Sequence, residues 1–181
     1  MKSISKDHPL RVLFQGLVEH AFCTEVGLCN PRLTEYLTDL LVEFTHVDRF
    51  NLISRAEGKQ LEQIAGMLTA AESEDDQEAR DPIDRDCRVY RHIGDFTLFW
   101  AGVYPEQLRL TATTPGDVLQ TYASRGKQSY AMVSELARED DVLPASLFRH
   151  LSEDFECCLY GLGLVRRGWE FGPTRRGDFT A

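Results

Sequence analysis

His92 and Asp95 stand at i, i+3 spacing in the stretch Arg91–Tyr104, RHIGDFTLFWAGVY, and Tyr122 and Tyr130 follow on the next helical pattern. An imidazole and a carboxylate one turn apart can share a proton or offer two ligands to a metal, while neighbouring phenols can donate hydrogen bonds to a polar ligand. The stretch is apolar on nearly every side, and such a helix must be buried. Asp95 therefore borders a core, where an ionised carboxylate needs a partner or a shifted pKa. Two readings are open. In the first, Asp95 ties two helices together, with Arg91 one turn earlier and with Tyr hydroxyls or Ser129 as donors. Deleting one side of such a pair costs roughly 1–3 kcal/mol. In the second, His92, Asp95, Tyr122 and Tyr130 line a small pocket for a polar ligand or work as an acid–base pair. The first is preferred, and no residue is assigned a catalytic role.

Other chemistry finds less support. A di-iron bundle needs Glu-x-x-His on each of two helices, and only Glu43–His46 fits; His8, His20, His92 and His150 have no Glu at that spacing. His20 with Cys23, and His92 with Asp95, each provide at most two ligands where structural zinc takes four. Cys157 and Cys158 are adjacent and cannot share a helix face, so one reads as core and the other as an ordinary thiol. There is no Gly-x-Ser-x-Gly elbow and no phosphate loop, because Gly161-Leu162-Gly163 lies in an apolar helix without a following Lys-Ser. No metal and no cofactor is therefore expected. Arg176-Gly177-Asp178 reads as a chance tripeptide. Val12–Gly16, though like an engineered protease site, continues into an amphipathic helix and reads as native.

The elements that would position these residues are helical. Apolar residues recur at 3.6-residue spacing over Pro9–Glu25, Asn30–Thr45, Gly58–Glu72, Asp86–Tyr104, Thr114–Glu139 and Pro144–Arg167. Prolines at Pro9, Pro31 and Pro115 suit first helical positions, Gly27 lies past an end, and Pro105 stops the fourth helix. Period-two alternation and hairpin dipeptides are missing. The expectation is an all-α, single-domain bundle over 1–171 of about six helices, the apolar fourth one central. Gly94, Ala101 and Gly102 would let helices approach closely, at a cost of about 1 kcal/mol per glycine. The acidic run Glu72–Glu78 with Asp81-Pro82 predicts a mobile loop at about 72–83, and 172–181 reads as an irregular tail.

With 181 residues, 43% hydrophobic and 27% charged, the chain has the composition of a soluble globular domain. A net charge of −9 opposes binding to nucleic acid or to anionic lipid. Arg11, Gln15, Glu19 and His20 interrupt the first apolar run, which predicts neither a signal peptide nor a membrane span. The five cysteines are odd in number and lack framework spacing, so a cytoplasmic location is expected. Arg166, Arg167, Arg175 and Arg176 read as a solvated end rather than a docking site.

The segments His92-Ile93-Gly94-Asp95, Leu98-Phe99, Gly102 and Pro105-Glu106, with Tyr122, Gly126 and Tyr130 after them and Tyr36-Leu37, Leu40-Leu41 and Asp48-Arg49 before, resemble an uncharacterised family of bacterial helical proteins. The likeness covers most of the chain outside the acidic loop and tail. It implies a relative and no activity, cofactor or catalytic residue. The sequence thus leads to a cytoplasmic helical binding or accessory module that engages a protein partner or small ligand around the fourth and fifth helices. The alternatives are an enzyme or metal-binding protein using His92 and Asp95, and a homodimer formed through an exposed helix face.

Overall fold

A computed structural model describes residues 8–45, 82–110, 115–138 and 141–171. The expected third helix, the acidic loop before Pro82, His46, Asp48-Arg49 and the tail lie outside the described residues. Within them the chain is helical, without strands: α1 (Pro9–His20), a π-helical segment (Ala21–Val26), α2 (Pro31–Thr45), α3 (Pro82–Val103), α4 (Pro105–Leu110), α5 (Pro115–Leu136), α6 (Ala145–Glu153) and α7 (Phe155–Phe171).

Local chemistry sets the boundaries. His8 Nδ1 accepts from the Leu10 amide ahead of α1, and Pro9 needs no amide partner at the first turn. Arg11, Phe14 and Val18 are its buried positions. Helical winding continues to Val26, as the apolar spacing predicts, but widens to π geometry before Gly27 ends it at φ 83°. Asn30 then caps α2, its Oδ1 accepting from the amides of Arg32 at 3.1 Å and Leu33 at 3.4 Å.

Three boundaries differ from expectation. First, α3 begins at Pro82 instead of Asp86, and the four added residues, Pro82 to Arg85, are all exposed. Second, Pro105 ends α3 and also opens α4, because a proline that blocks one helix is suited to the first position of the next. Third, Pro144–Arg167 is two helices. Asp154, at φ −99° and ψ 23°, breaks the line between α6 and α7. The break lets Leu147, Phe148 and Leu151 of α6, and Phe155, Cys158, Leu162 and Val165 of α7, all reach the interior from differently aimed axes. The five expected helices that fall within the described residues thus become seven.

Every residue of α3 from His92 to Val103 is buried. As a whole α3 packs chiefly on α5 and α7 and also touches α2, while α1 packs on α2 and the π segment on α7. Phe44 of α2 stacks on Phe99 with ring centroids 4.6 Å apart. Gly102 lies against Leu162, so the small residues of α3 serve close approach as their types suggested. No helix among the described residues is long and apolar enough to cross a membrane.

Candidate functional site

Asp95 is 7% exposed and sits where α2, α3 and α5 converge. Its Oδ1 accepts two hydrogen bonds, from the Tyr36 hydroxyl at 2.5 Å and from the Tyr130 hydroxyl at 2.7 Å. On the other side Arg91 Nε stands 3.9 Å from Oδ2. Phe148 of α6 lies beside both tyrosine rings, edge-on to Tyr36 at 5.8 Å and tilted against Tyr130 at 6.1 Å. The polar cluster is thereby roofed by an aromatic side chain.

Gly94 explains why a glycine precedes this carboxylate. A methyl group there would stand 2.6 Å from Cε1 of Tyr130, so the bare backbone lets the ring slide close enough for its hydroxyl to reach Asp95. Gly126, one turn before Tyr130, acts similarly: an added methyl would meet Phe155 at 2.3 Å and Thr97 Oγ1 at 2.4 Å. The Thr97 hydroxyl is turned onto the carbonyls of Ile93 and Gly94 of its own helix.

Burial pushes the Tyr36 and Tyr130 phenols well above their ordinary value, and the adjacent Asp95 charge pushes them further. Both rings therefore stay protonated and keep donating. A phenol held protonated cannot act as a base near neutral pH, and Oδ1 already serves two donors. What this arrangement does well is fasten three helices through one carboxylate.

Of the residues singled out by sequence, the structure brings Asp95 and Tyr130 together. Tyr122 is half-buried and lies against Phe96, ring centroids 6.5 Å apart, with its phenol raised by burial. His92 is buried at 2% exposure within α3. The partner not named among the candidates is Tyr36, which lies among the buried leucines of α2. Its signal was available, because a tyrosine inside a buried stripe must find a partner for its hydroxyl.

A second polar cluster lies between α1 and α2. Arg11, 9% exposed, pairs with Asp39 through Nη1 and stands 3.7 Å from Glu35 through Nη2. It forms one wall of a groove of about 290 Å³ together with Gln15, Glu19, Thr34, Glu35 and Thr38. Arg11 entered the sequence reading only as an interruption of an apolar run.

Other candidates resolve into scaffold. Cys23 forms a disulfide with Cys29, which the odd count and spacing of the cysteines did not anticipate, so the His20/Cys23 pair offers no thiolate. Cys158 is buried and its thiol is pushed up to about 12, while Cys157 is exposed. Arg166, read from sequence as a solvated charge, pairs with Glu106 at 2.6 Å and Glu170 at 2.9 Å, donates to the Val103 carbonyl at 2.7 Å and lies 4.8 Å over the Tyr104 ring. It joins α4 to α7. Among the described residues no three His, Cys, Asp or Glu side chains gather as a metal site.

No protein-family model, curated protein or solved structure matches the chain.

Proposed function

We propose that this chain is a helical binding or accessory module, engaging a protein partner or small ligand, in which Asp95 belongs to the scaffold. The observation that carries this reading is the pair of tyrosine hydroxyls on Asp95 Oδ1, each supplied from a different helix of the interior. A carboxylate poised for chemistry has to present an oxygen to substrate, whereas this one commits Oδ1 to two buried phenols and faces Arg91 with Oδ2. Recognition then falls to surface that a partner can reach. The groove beside Arg11 and the half-buried Tyr122 edge of α5 are two such places.

The competing reading, a metal or catalytic centre at His92 and Asp95, is separated by metal analysis of protein purified without chelator. The module reading expects substoichiometric metal and a thermal unfolding midpoint unchanged by chelator. Stoichiometric metal that disappears in His92→Ala and Asp95→Asn variants would overturn it.

A further inference from the structure

The Cys23–Cys29 disulfide has a placement that suits regulation better than bulk stabilisation. Its two cysteines are separated by only 6 positions, and both residues are exposed. A bond that closes so short a loop removes less freedom from the unfolded chain than one closing a long loop, since loop-closure entropy grows with the logarithm of the length enclosed. What it fixes is local shape. It spans the end of the π segment and the left-handed Gly27, and it stops at the residue before Asn30, the cap of α2.

That local shape has a buried consequence. The π segment places Phe22 in the core, fully buried, against Gly161 of α7, where an added methyl would stand 2.4 Å from the ring. The turn closes through amides that converge on one oxygen: Gly27 and Leu28 both donate to the Phe22 carbonyl. A π turn holds its residues in a winding that helices rarely adopt, so a covalent tie across its end can be the element that selects it.

We propose that the Cys23–Cys29 bond is a reducible latch on the turn between α1 and α2, opened by a dithiol reductant. A thiolate of the reductant attacks one cysteine sulfur, breaking the Cys23–Cys29 bond and forming a mixed disulfide with that residue. The reductant's second thiol then displaces the protein sulfur. The reductant leaves as its own disulfide, and Cys23 and Cys29 each carry a proton as thiols, two electrons having passed to the protein. Exposure of both cysteines gives the reductant access, while Cys158 stays buried and protonated and takes no part. In the reduced chain the turn is no longer tied, and its amides exchange with solvent through local opening while α3 and α5 stay closed.

Hydrogen exchange followed by mass spectrometry on the full chain tests this, comparing air-oxidised protein with protein in dithiothreitol. The expected result is at least tenfold faster exchange over residues 22–28 on reduction, unchanged protection over 92–103, and recovery on reoxidation. The Cys23→Ser, Cys29→Ser double variant should show the fast turn with and without reductant. Alkylation of oxidised protein, denatured without reductant, should label three cysteines. Five labelled cysteines, equal exchange in the two redox states, or exchange that rises throughout the chain would each overturn the latch.

Discussion

Asp95 and Arg11 are both charged groups largely withdrawn from water, and the fold treats them differently. Asp95 is held chiefly by neutral donors that are themselves buried: Tyr36 and Tyr130 hold one oxygen, Phe148 packs against both rings, and Arg91 stands 3.9 Å from the other oxygen. Arg11 is answered by carboxylates that remain in solvent, Glu35 at 58% and Asp39 at 50% side-chain exposure, and it borders an open groove. The first arrangement ties the carboxylate to groups that are themselves buried and makes the charge part of the architecture. In the second, the partners keep their water and can exchange it for something else. The contrast locates stability in the α2–α3–α5 junction and leaves room for recognition at the α1–α2 surface.

The contrast can be broken by substitution. Asp95→Ala should be the most damaging, because it strands two buried phenol hydroxyls at roughly 1–3 kcal/mol each; a loss of about 3–5 kcal/mol is expected in urea unfolding. A loss below about 1 kcal/mol would mean that the junction is not what fastens these helices.

Gly94→Ala comes next. Better helix propensity is worth about 1 kcal/mol, yet the new methyl would stand 2.6 Å from a ring that has no exposed side to retreat to. Overpacking of this kind costs typically 1–3 kcal/mol, so a net fall in the thermal midpoint is expected, and an unchanged or raised midpoint would contradict the close approach.

Alkaline pH should probe the same junction without mutation. In the unfolded chain each phenol releases its proton near its ordinary value of 10.0, while in the folded chain burial and Asp95 hold it beyond that pH. The unfolded state then binds fewer protons, so the contribution is complete below about pH 10 and is lost as pH rises above it. A Tyr36→Phe, Tyr130→Phe variant should show a shallower alkaline fall by chemical denaturation.

Arg11→Gln should do least. Its partners are half exposed and screened, so a change under about 1 kcal/mol, shrinking further in salt, is expected from denaturation at two ionic strengths. A loss as large as that of Asp95→Ala would erase the distinction between the two clusters.

Much of this architecture was legible in residue types. The 3.6-residue spacing announced α1, α2, α3 and α5, and prolines marked several of their starts. The Gly94-Asp95 pair within a greasy helix pointed to a helix junction, and the Tyr130 hydroxyl is found there. What escaped depended on tertiary placement. The break at Asp154 has no glycine or proline to announce it and follows from two apolar faces that one straight helix could not bury together. Tyr36 lies on a helix far away in sequence, and its hydroxyl is invisible to a periodicity argument that counts the ring as apolar. In the Cys23–Cys29 bond the two residues stand 4.4 Å apart at Cα across a π turn and a left-handed glycine, an arrangement their spacing alone does not specify.

The central claim is that Asp95 is held by tyrosine hydroxyls from inside the fold, and a double-mutant cycle joining Asp95→Ala with Tyr130→Phe measures that bond most directly. Urea unfolding of the four proteins should give a coupling energy of about 1–3 kcal/mol. Additive losses, with no coupling between the two positions, would contradict the account.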